Sequence, residues 1–395
     1  MLKRIAVSAV TMTLALAAQW NAPANALPLP LLPHLPFYET DTLPPSSHPE
    51  PLTGESNWSG SGGAHLDADY VFNGQRRTVG EFLNRSSTRG FLVLRDNRIL
   101  DERYFGGYSA ASRFNSWSVG KSITAAAVGI AVADGKIGSV DDPVTEYLPE
   151  LATSGYNGVR IRDVLHMSSG IAYDESTNTD PTKGSTNTMI RMVAGISLPD
   201  QARGIPAERP PGTLWNYASM DSFVLGWIVA KVTGAPLSEF VRQRIWEPAG
   251  MASEALMGHD YAGNTIGFCC YHATVRDFAR FGLLYLHDGD VGGRQIVPRA
   301  WIHDSTHSTE PYLQPRQLIP ARPNASENAY GYGYQWWLGD GDRGDYTAVG
   351  FLGQFIYVSP RDNIVIVKTS EDLNSTDHMA EALQAFRALA DATRR

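Results

Sequence analysis

Residues 118–135 read Ser118-Val-Gly-Lys121-Ser-Ile-Thr-Ala-Ala-Ala-Val-Gly-Ile-Ala-Val-Ala-Asp-Gly135, a serine and a lysine three apart at the mouth of an apolar, alanine-rich run. Positions i and i+3 of an α-helix share a face, so the Ser118 hydroxyl and the Lys121 amine can meet without any long-range folding. Ile123, Ala127, Ile130 and Ala131 fall on one stripe, and Gly135 can close the helix behind them. The run predicts a buried helix. Its first turn carries Ser118, where backbone N–H groups without intrahelical partners favour developing negative charge.

A serine hydroxyl is a weak nucleophile until a base takes its proton, and a lysine can do so only as the neutral amine. From its ordinary value the Lys121 pKa must fall by about 3 units, worth roughly 4 kcal/mol, through burial and neighbouring donors or cations. Two further passages supply what such a site needs. Tyr217-Ala218-Ser219 follows a Pro-Pro-Gly-Thr loop and precedes a helical pattern, a place where a phenol is presented to a cleft. Tyr217 could relay the proton to a leaving group, and Ser219 could hydrogen-bond Lys121. Gly350-Phe351-Leu352-Gly353-Gln354 leads into a strand. Gly350 lets its backbone approach a ligand closely, and the amides of Ser118 and Phe351 would then face a developing oxyanion.

Working outward, Phe91–Leu94 and Ile99–Phe105 flank a turn at Arg95–Arg98, and Gln354–Val358 and Asn363–Lys368 flank Ser359–Asp362. Both read as hairpins. Thr376–Ala390 carries Met379, Leu383, Phe386 and Ala390 on one stripe and reads as an amphipathic helix. Between these ends the patterns are mostly helical: Met220–Val232 closed by Gly234, Leu237–Trp246, and Thr274–Leu286 opened by a Thr-x-x-Asp box. The predicted class is α+β: an antiparallel sheet built from both chain ends, flanked by helices, with a large, mainly helical insertion at about 140–330. The hydrolase domain is read as 76–395, preceded by a Pro/Gly-rich arm at 27–75 that is extended or lies on the surface.

The 395 residues include 43% hydrophobic and 10% aromatic side chains, ample for a large core, and the formal net charge is −8. That balance argues against nucleic acid as a partner. Two cations in Met1–Arg4, an apolar run over Ile5–Ala18 and Ala24-Asn25-Ala26 read as a cleavable export signal, residues 1–26, placing the mature protein in the periplasm or outside the cell. The run is shorter than the roughly 20 residues that span a bilayer, so no stable membrane insertion is expected after signal removal. The only cysteines, Cys269 and Cys270, are adjacent; they read as two buried thiols, since a bond between neighbours is strained. His303-Asp-Ser-Thr-His307 nearly matches a zinc signature but lacks its glutamate and a third ligand, and reads as a solvated helix end. Ser116–Gly120 mimics a nucleophile elbow without the apolar strand that motif requires.

Taken in order over about 90–370, Ser118-Val-Gly-Lys121, Ile161-Arg-Asp-Val-Leu-His-Met-Ser-Ser-Gly170, Tyr217-Ala-Ser219, Tyr332-Gly-Tyr-Gln-Trp-Trp337 and Gly350–Pro360 resemble the serine β-lactamase and penicillin-recognising hydrolase superfamily, in its class C-like esterase branch. Within it the chain resembles the 6-aminohexanoate-dimer hydrolases, amidases with esterase activity. The resemblance implies Ser118 as acylated nucleophile, Lys121 and Tyr217 in proton transfer, Gly350 and the Phe351 amide at the oxyanion, and Tyr173 as a loop tyrosine that closes over substrate. It implies no metal or organic cofactor and a small ester or amide as substrate; oligomeric state is left open. Ala348-Val349-Gly350 lacks the cation that penicillin-recognising members carry there, which favours an ester or linear amide over a β-lactam. The acidic loop residue of those amidases has no equivalent at the matching count from Tyr173, which reaches Gly184. The alternatives are a non-turnover penicillin-binding or sensor-like cell-wall protein of the same fold, and a D-Ala-D-Ala peptidase or β-lactamase.

Overall fold

The computed structural model describes residues 38–54, 67–176 and 180–394. The predicted export signal lies outside them. Two segments distant in sequence build one seven-stranded antiparallel sheet: β1 (Thr88–Arg95) and β2 (Arg98–Tyr104) from the N-terminal side, and β3 (Tyr330–Tyr332), β4 (Trp337–Gly339), β5 (Tyr346–Gly350), β6 (Gln354–Ser359) and β7 (Ile364–Ser370) from the C-terminal side. Their spatial order is β3-β4-β5-β6-β7-β1-β2, and β7 joins the halves with Ile366 opposite Val93. Both predicted hairpins are present.

Because side chains alternate along a strand, each central strand feeds two cores. Phe91, Val93, Phe355, Tyr357, Ile364 and Ile366 pack under Met379, Leu383 and Phe386 of the C-terminal helix Ser375–Ala392. Leu92, Leu94, Ile356, Val358, Val365 and Val367 point the other way, towards Phe278, Phe281 and Leu284 of helix Val275–Leu286. A Cβ on Gly282 would stand 2.6 Å from a Val365 methyl, so this helix lies directly on the sheet. Its Thr274 cap accepts from the Asp277 N–H, as the Thr-x-x-Asp box predicts.

The Ser118-to-Gly135 run forms α1 (Gly120–Ala133), entered through a 3-10 turn at Trp117–Val119, with Gly135 left-handed at φ +66° beyond its end. Its burial exceeds the expected stripe, since every residue from Gly120 to Ala131 is buried. The small side chains are the reason: neighbours close in on all sides, and Gly129 lies so near the Trp301 ring that a Cβ would fall 2.3 Å from it. α2 (Ser219–Thr233) packs beside α1 and ends at left-handed Gly234.

The described part of the arm lies on the surface and is held there by strand pairing. Glu39–Leu43 is the outer strand of a four-stranded sheet, paired with Ala255–His259, followed in space by Tyr271–Ala273 and Phe114–Asn115. Leu43 and Ser46 are buried, and Tyr38 Oη and His272 Nε2 are 2.8 Å apart. The helical insertion therefore also contributes two strands, which hold the segment leading into Ser118. His303 and His307 stack on each other at 4.3 Å at an exposed helix end.

Candidate active site

The chain enters the site from Asn115, buried in the small sheet, and turns through Trp117 at φ +45°. Left-handed backbone at a bulky residue costs on the order of 1–3 kcal/mol and persists only where its surroundings fix it. Two contacts do so: the Trp117 N–H donates to Asn115 Oδ1 at 3.0 Å, and the indole meets the Phe351 ring edge-on at 5.4 Å. Ser118 follows, half-buried, at the start of the helical turn.

Lys121 Nζ lies 2.8 Å from Ser118 Oγ, 3.0 Å from Ser219 Oγ and 3.3 Å from the Phe268 carbonyl oxygen. The ammonium has three N–H groups and meets three oxygen acceptors. The side chain is fully buried, and desolvation lowers its pKa to about 8, against an opposing pull from the negative charge of Glu175. Burial thus supplies most of the fall that a lysine base requires, and about a tenth of the amine is neutral at pH 7.

Tyr217 and Ser219 flank Ala218, the N-cap of α2. The loop bearing them is braced by the His166–Gly170 turn: the Asn216 N–H donates to Met167 O at 2.7 Å and the Gly212 N–H to Ser168 O at 2.8 Å. The Tyr217 ring stacks on Trp337 at 5.8 Å, and its face lies 4.8 Å from Lys121 Nζ. Its hydroxyl lies near Ser118, and burial raises its pKa well above 10, so the phenol is neutral and able to donate. Buried Trp337 is the wall behind this phenol.

The end of β5 completes the cleft. A Cβ on Gly350 would stand 2.5 Å from Ser116 O and 3.2 Å from Ser118 N, so only glycine lets this strand lie against the Ser118 amide. Phe351 begins the following turn, which Leu352 passes at φ +60°. Ser370 Oγ donates to Leu352 O at 2.6 Å, and buried Lys368 donates to Ser370 Oγ at 2.8 Å and Gly353 O at 3.3 Å. Desolvation lowers the Lys368 pKa to about 7. Lys368, which follows the apolar run Ile364-Val-Ile-Val367 within β7, thus pins the turn carrying Phe351.

A family model described as Beta-lactamase matches residues 76–390. The chain belongs to this family. It is 31% identical over 299 residues to the 6-aminohexanoate-dimer hydrolase of Paenarthrobacter ureafaciens, covering 73% of this chain and 74% of that one. A Bacillus anthracis protein provisionally described as a 6-aminohexanoate-dimer hydrolase superposes with a TM-score of 0.76 at 22% identity, over 89% of this chain and 91% of its own. EstCE1, a hydrolase with promiscuous acyltransferase activity, superposes with a TM-score of 0.60 at 16% identity, over 79% and 96%. At those identities the two structures speak for the fold. As a member of the Beta-lactamase family with an amidase relative, the chain is a serine hydrolase.

Not every residue singled out in the sequence joins this β-lactamase-family site. Tyr173 is buried, and its hydroxyl bonds Thr188 Oγ1 at 2.8 Å, while its carbonyl accepts from Asn216. In this structure it braces the Tyr217 loop and is not among the groups bonded to Ser118 or Lys121. The acidic side chain of this loop that reaches the cluster is Glu175, two positions on, which the sequence pattern did not single out. Its Oε2 accepts the Ser219 N–H and its Oε1 the Ser219 hydroxyl, each at 2.7 Å. Gly184, where the count from Tyr173 ended, lies against it: a Cβ there would stand 2.7 Å from Glu175 Cγ. The available signal was an acidic pair, Asp174-Glu175, in a loop following the Ser-Ser-Gly turn. The cysteines also differ from expectation. Cys269 and Cys270 form a disulfide, their Cα atoms 3.7 Å apart, with Cys270 left-handed at φ +73°. That backbone turn lets neighbouring side chains meet, in the segment whose Phe268 carbonyl faces Lys121.

Proposed function

We propose that this serine hydrolase is exported and cleaves carboxylic esters and linear amides through an acyl-enzyme on Ser118. The observation that carries the proposal is the 2.8 Å contact between Ser118 Oγ and a fully buried Lys121 amine whose pKa falls to about 8. Neutral Lys121 takes the Ser118 proton as Oγ bonds to the carbonyl carbon, and the carbonyl electrons move to an oxyanion held by the Ser118 and Phe351 amides. Tyr217, beside Ser118 with its ring face over Lys121 Nζ, passes the proton on to the departing alcohol or amine as the carbon–heteroatom bond breaks. Water then attacks the acyl-enzyme by the reverse proton route.

Half-buried Trp117, Phe351 and Tyr217 surround the nucleophile, and Ala348 stands where a carboxylate-binding cation would be. These features support an uncharged acyl group. Export is supported by the reading of residues 1–26 and by the disulfide, a bond that persists in oxidising compartments. The test is a side-by-side rate panel of a short-chain p-nitrophenyl ester, 6-aminohexanoate dimer, a D-Ala-D-Ala peptide and nitrocefin, with Ser118→Ala as control. The ester is expected to lead and Ser118→Ala to be inactive. A burst without turnover, turnover by Ser118→Ala, or nitrocefin as the best substrate refutes the proposal. Cell fractionation with N-terminal sequencing tests export, and an unprocessed cytoplasmic chain would refute it.

A further inference from the structure

Lys121 has three oxygen partners, and they differ in one respect that decides where its lone pair can point. As an ammonium, Lys121 donates to all three. When it loses a proton, two N–H groups and one lone pair remain, so one partner must turn from acceptor to donor. The Phe268 carbonyl has no proton to give. Ser219 has one, and it is already committed to Glu175 Oε1, while Glu175 Oε2 fixes the Ser219 backbone N–H. Only Ser118 is left to donate.

We propose that Glu175 is a positioning residue for proton abstraction: by holding the Ser219 hydroxyl proton, it leaves Ser118 as the only one of Lys121's oxygen partners from which the neutral amine can accept. The proposal rests on the Ser118–Lys121 mechanism above. The carboxylate suits this task because, ionised, it is acceptor-only, whereas an amide of the same shape is not. In Glu175→Gln the amide oxygen can keep the Ser219 N–H, but the NH2 group faces Ser219 Oγ. That hydroxyl then turns its proton towards Lys121, where it competes for the lone pair. The charged and titratable groups around the pair are Asp221, Tyr173, Tyr217 and Tyr332, each of which senses the Glu175 charge, with Lys121 itself. Adjacent Asp174 is paired with Lys183.

The test is kcat/KM for a p-nitrophenyl ester as a function of pH, with thermal melts of each variant. Glu175→Gln is expected to lower the high-pH plateau by at least about tenfold, the lower end of proton-transfer contributions being larger still. Its titration limb should also move to lower pH, because the lost negative charge is one that raises the Lys121 pKa. Glu175→Asp, still acceptor-only, should retain more of the plateau than Glu175→Gln. Where Ser219→Ala has removed the reversible hydroxyl, adding Glu175→Gln should change the plateau no further. A wild-type plateau in Glu175→Gln, equal losses in the Asp and Gln variants, or a further large loss on the Ser219→Ala background overturns the inference. Ser118→Ala separates the two levels: if it still turns over, the Ser118 mechanism falls, whereas an inactive Ser118→Ala beside a wild-type-like Glu175→Gln removes only the role given to Glu175.

Discussion

On the proposed mechanism, raising the pH through the neutral range changes the base for acylation, the buried amine of Lys121. With a pKa of about 8 set by desolvation, the base is mostly charged near pH 7 and mostly free near pH 9. The active form is the neutral one, so the sign is fixed: kcat/KM must climb with pH and level off above the pKa. Below it, the rate should fall about tenfold per pH unit, leaving roughly a tenth of the plateau at pH 7 and a hundredth at pH 6. Initial rates on a p-nitrophenyl ester at constant ionic strength would measure this, and the rate of Ser118 labelling by a fluorophosphonate should follow the same curve. Lys121→Arg supplies the matching perturbation. A guanidinium stays charged throughout this range, so the variant should lose on the order of 10²–10⁴-fold and show no limb near pH 8. A flat profile between pH 6 and 8, a limb near the ordinary histidine value, or a Lys121→Arg enzyme of normal activity would refute the reasoning.

Tyr217→Phe keeps the ring stacked on Trp337 but removes the donor, so the ratio of anilide to ester kcat/KM should fall by about 10²-fold, because an amine departs only when protonated. Equal losses on both substrates would remove Tyr217 from leaving-group protonation. Gly350→Ala would push the end of β5 off Ser116 O and the Ser118 amide, and should slow acylation by at least about 10²-fold, as loss of an oxyanion donor does. Gly129→Ala drives a methyl into the Trp301 ring, away from the chemistry; urea denaturation should show a loss of about 1–3 kcal/mol with kcat/KM unchanged. Denatured protein should take up no iodoacetamide until it is reduced, and then two equivalents, one each at Cys269 and Cys270.

Much of the fold was legible because its signals are local. The turn residues at Arg95–Arg98 and Ser359–Asp362 separate β-rich runs, and the Thr274 cap marks its own helix, so these elements appear where the pattern puts them. Ser118 and Lys121 lie one helical turn apart, and their contact follows from chain geometry alone. The arm was harder to read, because Glu39–Leu43 becomes a strand only through pairing with Ala255–His259, more than two hundred residues later. The cysteine pair depended on one left-handed backbone angle that composition does not announce. Tyr173 and Glu175 are two residues apart in one loop, and nothing in their spacing says which of them turns towards Lys121.

By itself, the sequence determined the pairing of Ser118 with Lys121, the helix that presents them and the strands at both ends of the chain, since each rests on contacts between near neighbours or on a repeating apolar pattern. Tertiary structure alone decided how far the lysine's pKa falls, which carboxylate stands behind Ser219, and that Gly350 lies against the nucleophile's amide. Desolvation and hydrogen-bond direction depend on every group within a few ångströms, and those groups come here from separate stretches around Ser118, Glu175, Tyr217, Phe268 and Gly350.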